Sequence, residues 1–289
     1  MRVVVGERLG GPEVLAVAER EAPRPGPGEV VVEVAAAGVN YMDIYQREGV
    51  GNYRTEPPFV PGAEGAGTVV AVGSDVKDLA VGDHVAWAGQ GSSYAEQVAL
   101  SANRVVPVPD GMNLQVAAAA ILQGMTAHYL CTSTYPVREG DITVVHAAAG
   151  GVGLLLTQLV KRRGGLVVGT TSGGEKVELA LQAGADHVVG YDRFRDIVDE
   201  ASDGAGAHVV YDGVGKDTFD DGLAALRPRG MMVLYGAASG QVPPVDPQRL
   251  NSGGSLFLTR PTLAHYMADR TELRWRAGEV FDWITKGEL

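Results

Sequence analysis

The sequence predicts an α/β protein in two parts: a β-rich first part and a second part built as a doubly wound parallel sheet. Three observations carry this. Near Leu114 the texture of the chain changes, from short β-branched runs broken by Gly and Pro to Ala- and Leu-rich stretches with few breakers. Beyond that point apolar strands alternate with amphipathic helices, the pattern of a parallel sheet covered on both faces. Between one such strand and helix, within Ile142 to Val160 (ITVVHAAAGGVGLLLTQLV), lies a tight turn of small residues. The 289 residues leave room for two modest domains, each able to bury a core.

Taken in order, Val30 to Val34, Gly67 to Val72, His84 to Trp87 and Arg104 to Val108 are short β-branched runs bounded by turn residues, and they predict strands. The Pro/Gly run Pro23 to Gly28 reads as a turn between strands. Leu114 to Leu130 predicts a helix. Strands follow at Ile142 to His146, Leu166 to Thr170, His187 to Gly190, His208 to Asp212 and Met231 to Tyr235. Helices separate them at Gly153 to Arg163, Lys176 to Ala183, Phe194 to Ala201 and Phe219 to Leu226. From Leu263 to Lys286 the periodicity is again helical, and no internal repeat is present.

Composition narrows the function. With 45% hydrophobic and 20% charged residues the chain is an ordinary globular protein, not a disordered or coiled-coil one. A net charge of −11 and the lack of any Arg/Lys run longer than Lys161-Arg162-Arg163 speak against nucleic acid. Met1 to Gly6 is too short for the apolar core of a signal peptide, and the longest apolar stretch, Val116 to Leu122, is far too short to span a bilayer. One cysteine, Cys131, excludes an internal disulfide and a Cys-rich zinc site, so the chain is expected to be cytoplasmic. Cys131 lies in an apolar helical stretch without an activating neighbour in sequence, which argues against a nucleophile.

The small-residue turn points to a dinucleotide. Ala148-x-Gly150-x-x-Gly153 follows the Gly-x-Gly-x-x-Gly fingerprint with Ala in the first place, between a strand and a helix. Small residues are needed because the pyrophosphate approaches the backbone and sits on the N–H groups of the helix N-terminus. An NAD site would carry an acid about 20 residues on, to hold the ribose 2′-hydroxyl. Here Val168 to Gly174 has none. Ser172 and Gly173 offer hydrogen-bond donors and Lys176 a cation one turn away, which suits a 2′-phosphate and so NADPH.

In these and further motifs the chain resembles the zinc-independent quinone oxidoreductases of the medium-chain dehydrogenase/reductase superfamily, the group that includes zeta-crystallin. The resemblance rests on His146-Ala147-Ala148-Ala149-Gly150-Gly151-Val152-Gly153, Gly10 to Leu15, Ala37 to Asp43 and Leu258 to Pro261, in that family's order along almost the whole chain. It implies a GroES-like β-rich catalytic domain from residues 1–123 and 260–289, a Rossmann domain from 124–259, NADPH in the cleft between them, and a homodimer. It also implies that relatives continue beyond Leu289 through a strand and helix that carry an arginine to the NADPH phosphate.

By the same resemblance Asn40, Tyr41 and Tyr45 line the nicotinamide end, with Tyr53 over the substrate mouth, and Thr126 and Tyr129 bracket the nicotinamide or its ribose. Gly150, Gly151 and Val152 take the pyrophosphate. Ser172, Lys176 and Tyr191 take the 2′-phosphate, in agreement with the charge argument that also includes Gly173. Gly213, Tyr235, Gly236, Ala237, Ser239 and Thr259 border the adenine and nicotinamide ribose side of the cleft. Of these, Asn40, Tyr45 and Tyr53 are the candidate catalytic residues, and no proton donor is named.

Zinc is tested on the residues. Zinc alcohol dehydrogenases of the superfamily carry Cys at the position of Asn40 and His at that of Ala63, within Gly62-Ala63-Glu64. Both ligands are replaced, and the six histidines are scattered without an i, i+4 pair, so no metal is expected. Without a Lewis acid, hydride transfer to an electron-poor acceptor is the chemistry that positioning alone can support. Three readings stay open: an NADPH-dependent quinone reductase, an NADPH-dependent reductase of enones, alkenals or enoyl thioesters, and an NADPH-binding structural or regulatory protein. For the dimer, the resemblance makes the apolar run Ser255 to Leu258 the edge-pairing element, since an exposed edge invites such pairing; from the residues themselves a buried internal strand fits equally well.

Overall fold

The computed structural model describes residues 1–289. The chain divides into two compact units: Met1–Met125 with Met267–Glu288, and Thr126–Tyr266. Residues 260–266 therefore group with the second unit, whereas the sequence expectation placed them in the first.

The first unit begins with an antiparallel pair, β1 (Arg2–Gly6) and β2 (Leu15–Glu19). Then come β3 (Glu29–Ala37), α1 (Tyr41–Glu48), β4 (Glu64–Val72), β5 (His84–Ala88), β6 (Gln97–Ser101) and β7 (Val105–Pro107). These five strands make an antiparallel sheet of order β6-β3-β4-β5-β7. Val30, Val32, Val69, Val85, Trp87 and Leu100 pack as its core, each contributing about 1.5–3 kcal/mol by leaving water. The Trp87 indole N–H, which would be costly to bury alone, donates to Ser93 Oγ at 2.9 Å. Strands β1, β2 and β6 escaped the sequence reading, because three to five apolar residues beside frequent breakers carry too little period-2 signal.

Helix α2 (Leu114–Tyr129) contains the boundary between the units and ends in one π turn, Leu130–Thr134. The second unit continues through β8 (Ile142–Val145), α3 (Gly151–Arg162), β9 (Leu166–Thr170), α4 (Glu175–Gln182), β10 (His187–Val189) and α5 (Phe194–Ala201). It is completed by β11 (Ala207–Asp212), α6 (Phe219–Ala224), β12 (Leu226–Leu234), α7 (Gln248–Ser252) and β13 (Phe257–Thr259). All six strands are parallel, in the order β10-β9-β8-β11-β12-β13. This is the doubly wound sheet that the alternation predicts. Val144 pairs with Val168 on one side and Val210 on the other, and these valines pack with Phe194, Phe219 and Met232.

One boundary differs: β12 begins at Leu226, where the sequence reading placed the end of a helix. Pro228 cannot continue a helix, and Arg229 adopts φ +62°, so the chain is already extended and kinked there. The last helix, α8 (Arg270–Thr285), returns to the first unit. It starts on Asp269, whose carboxylate accepts the N–H groups of Thr271 and Glu272 at 2.8 and 3.1 Å. Its Leu273, Ala277, Val280 and Phe281 are buried, and Arg270 and Arg274 pair with Asp78.

Candidate functional site

Strand order reverses beside β8, with β9 and β10 on one flank and β11 to β13 on the other. Ligands of open α/β sheets bind outside the carboxyl ends of the strands at such a switch point. The turns leaving β8 and β11 there are the ones carrying Gly150 to Val152 and Gly213.

After β8 the chain turns through Ala147 at φ +53° and enters α3 with Gly150 as its N-cap. Gly153 must lack a side chain, since a Cβ would stand 2.4 Å from the Ala147 carbonyl oxygen. Ala148 is fully buried, and a Cβ on Gly169 of β9 would come 2.9 Å from its methyl. Close packing of helix on strand leaves Gly151 and Val152 in the first turn of a twelve-residue helix, where N–H groups lack intrahelical partners, while the N–H of the N-cap Gly150 donates to the Ala147 carbonyl at 2.8 Å. These residues fit a pyrophosphate.

At the end of β9, Lys176 Nζ donates to Ser172 Oγ at 3.1 Å, and the Gly173 N–H donates to Thr171 Oγ1 at 3.2 Å. Gly173 and Gly174 adopt φ +88° and +65°, with open space where a Cβ would be. Ser172, Gly173 and Tyr191 share one hollow of about 490 Å³ with Val177, Val188 and Asp192. The predicted 2′-phosphate residues are thus brought together. Asp192 is a carboxylate in the same hollow that sequence reasoning passed over.

Across the sheet, a Cβ on Gly213 would meet the Tyr235 ring at 2.9 Å, and one on Gly236 would meet the Gly213 carbonyl oxygen at 2.3 Å. Both loops are tied to Asp212 at the end of β11. Its buried Oδ1 accepts the N–H groups of Val214 and Gly215 at 2.7 and 2.9 Å and the Thr218 hydroxyl at 2.9 Å. Burial pushes the Tyr235 phenol up. Ser239 is engaged within its own loop: its Oγ donates to the Val214 carbonyl at 2.9 Å and accepts the Asp217 N–H at 3.1 Å. Ala237 precedes it in that loop, and Thr259 ends β13. Thr126 and Tyr129 lie on α2. Tyr129, 1% exposed, stacks its ring on Tyr266 with centroids 4.2 Å apart and planes 9° apart. Tyr266 had no motif to announce it.

In the first unit Asn40 is the N-cap of α1 and Tyr41 its first residue. Tyr41, Tyr45 and Tyr53 form one aromatic run, with centroids 6.3 Å apart for the first pair and 5.4 Å for the second. Tyr41 is 59% exposed. Asn40, next to Tyr41 in the chain, belongs to a polar network. Asn40 Nδ2 donates to Glu64 Oε1 at 2.8 Å, Gln123 Nε2 donates to Asn40 Oδ1 at 2.9 Å and to Glu64 Oε1 at 2.8 Å, and the Leu122 N–H donates to Glu64 Oε2 at 3.0 Å. The Asn40 N–H donates to Asp43 Oδ2 at 2.9 Å, and so does the Tyr94 hydroxyl, also at 2.9 Å.

Burial raises both the Asp43 and Glu64 carboxyls against the hydrogen bonds that lower them, and burial beside Asp43 raises the Tyr94 phenol. Asn and Asp at N-cap and N3 are a legible capping signal. Glu64 and Gln123 are 59 residues apart in sequence and carried none. No group of three His, Cys, Asp or Glu side chains is placed to hold a metal ion.

His146, which follows β8, is fully buried. Its Nδ1 lies 2.9 Å from Thr170 Oγ1, Nε2 has no partner, and its ring meets Phe194 edge-on at 4.8 Å. Burial lowers its pKa to about 4.

The alcohol dehydrogenase GroES-like domain family matches residues 26–110, and the zinc-binding dehydrogenase family matches residues 151–277. A quinone oxidoreductase of Pseudomonas aeruginosa is 42% identical over 286 residues, which are 97% of this chain and 87% of that protein. A 2-haloacrylate reductase of a Burkholderia species is 39% identical over 290 residues, 98% of this chain and 87% of that protein. The crystal structure of Escherichia coli quinone oxidoreductase complexed with NADPH superposes with a TM-score of 0.97 at 36% identity, covering 100% of this chain and 89% of that one.

Proposed function

The chain belongs to the zeta-crystallin-like quinone oxidoreductases of the medium-chain dehydrogenase/reductase superfamily, and from that premise we propose that it is an NADPH-dependent quinone reductase working without zinc. The observation that carries this reading is the Lys176–Ser172 pair beside the open glycines Gly173 and Gly174, where an NAD enzyme would place a carboxylate on the ribose. NADPH, when bound, supplies a hydride from C4 of its nicotinamide. Gly151 and Val152 hold its pyrophosphate by backbone N–H groups, and Gly150, whose N–H is taken by Ala147, leaves room for it by lacking a side chain. Ser172, Lys176 and Tyr191 hold its 2′-phosphate, and Gly213, Tyr235 to Ala237, Ser239 and Thr259 border the adenine and ribose.

In the first unit the place of a zinc-binding cysteine is taken by Asn40, which binds Glu64 and Gln123 instead, and Ala63 replaces the histidine. A quinone suits such a site, because it accepts hydride without a Lewis acid and spreads the charge through its π system. The tyrosines Tyr41, Tyr45 and Tyr53 supply flat aromatic surface for a planar acceptor. Reduction of an alkene conjugated to a carbonyl is the second reading, favoured by the likeness to a reductase of haloacrylates, which are conjugated acids.

We further infer a cytoplasmic homodimer paired through β13, the edge strand of the six-stranded sheet, whose Phe257 is 56% exposed. No helix is long and apolar enough to cross a membrane. The deciding assay follows NADPH consumption with a panel of quinones and conjugated enones. Quinone turnover is the expected result. NADPH binding without turnover of any acceptor would instead make this a binding protein.

A further inference from the structure

Asn40 is held at both ends of its carboxamide. Nδ2 gives a hydrogen to Glu64 Oε1, and Oδ1 receives one from Gln123. A carboxylate only accepts, and a carboxamide has one donor end, so the orientation of Asn40 follows from its neighbours. Gln123 is equally determined, since its amino group gives one hydrogen to Asn40 and the other to Glu64. Glu64 is fully buried and fixed in turn by the Leu122 backbone N–H on its other oxygen. Turning Asn40 over would set its carbonyl oxygen against a carboxylate and its amino group against another amino group. Two opposed contacts in a buried network are expensive, so a single orientation holds.

In that orientation Asn40 engages one of its two Nδ2 hydrogens within the protein. We propose that Glu64 and Gln123 are positioning residues that lock the Asn40 carboxamide, so that its second N–H serves the carbonyl oxygen of the electron acceptor. This rests on the quinone reductase reading. Negative charge grows on the acceptor oxygen as hydride reaches the conjugated system, and a donor already in place strengthens its bond at that moment without reorganising. The arrangement selects acceptors whose reducible bond is conjugated to a carbonyl, the feature that quinones and enones share. Burial raises the Glu64 carboxyl, the three hydrogen bonds lower it, and the nearby Asp43 charge raises it further. Tyr94, bonded to Asp43, is the remaining titratable neighbour.

The test compares wild type with Glu64→Gln and Gln123→Ala in two readouts: steady-state kinetics with NADPH and a quinone, and the side-chain amide NMR signals of Asn40. In Glu64→Gln the charge that holds Asn40 and Gln123 is lost, and the new amino group must face either the Leu122 N–H or the two side-chain donors, so the network can no longer satisfy every donor. Its Asn40 signals are expected to move, with kcat falling about 10- to 100-fold and the KM for NADPH held within about twofold. Gln123→Ala should shift the same signals with a smaller loss of kcat. Acid should weaken the wild type as Glu64 takes up a proton, and Glu64→Gln should lack that limb of the profile. Wild-type kcat in both folded variants, or unmoved Asn40 signals, overturns the proposal while leaving the quinone reductase reading intact. If wild type reduces no quinone or enone, that reading fails by itself, and the NMR arm still decides whether Glu64 and Gln123 position Asn40. Should Glu64→Gln not fold, Gln123→Ala carries both readouts, since it leaves the buried carboxylate in place.

Discussion

Lys176, bonded to Ser172 of the hollow, and Asp192, which lines it, carry opposite charge. If the 2′-phosphate is held beside Ser172, Lys176→Ala should weaken NADPH binding by about tenfold or more and NADH binding hardly at all, by titration calorimetry. Equal losses for the two dinucleotides would remove the case for a phosphate there. Asp192→Asn should do the reverse and tighten NADPH, because a carboxylate lining the same hollow repels the phosphate. His146 offers a second measurement. Its folded pKa of about 4 lies below the ordinary imidazole value near 6.5, so between those limits the unfolded chain binds more protons and stability falls as pH falls. Between pH 7 and pH 5 this group alone should remove about 2 kcal/mol. Urea unfolding of wild type against His146→Phe isolates the effect. The comparison is needed because Asp43 and Glu64, raised by burial, pull the opposite way, holding protons in the folded state that the unfolded chain releases. Lys176 was legible because a missing acid and a present cation sit within one motif, whereas the burial of His146 depends on Thr170 and Phe194, which its own segment does not contain.

Glycine decides the fit of two elements. The turn from β8 into α3 closes only because Gly153 has no side chain, and Gly153→Ala should lower both stability, by about 1–3 kcal/mol, and NADPH affinity. The link from β3 to α1 has the same dependence at Gly38, where a Cβ would stand 2.0 Å from Glu64 Oε1. Glu64 cannot retreat without losing Asn40, Gln123 and the Leu122 N–H, so Gly38→Ala should also cost about 1–3 kcal/mol in a urea titration and disturb the Asn40 signals. Apart from the five-residue α7, which no periodicity announces, strands and helices of the second unit were legible nearly to their ends, because β8, β9 and β11 are short apolar runs between clear breakers. The first unit was read less completely. Its strands are set by antiparallel pairing across long separations, as in Glu33 with Thr68 on one side and Gln97 on the other, and local sequence does not report such partners.

For the molecule as a whole, the unpaired edge at β13 is the place where a second chain would add. Sedimentation at micromolar concentration should show a dimer, and Phe257→Lys, a charge on an exposed edge position, should shift it toward monomer without loss of the fold. A wild type that sediments only as monomer would end the dimer proposal. The net charge of −11 should keep either form soluble.

The return of α8 to the first unit has a consequence for the order of events on the ribosome. The second unit is one continuous segment and can close its sheet as soon as it has emerged. The first unit cannot finish its core then, because Leu273, Val280 and Phe281 are still to be made while Gly124, which packs against Val280, has long been outside. At about 5–20 residues per second that delay is roughly ten to thirty seconds, during which the five-stranded sheet leaves an apolar surface uncovered. That interval is when a chaperone has the most to bind, and it belongs to the half of the molecule that carries Asn40.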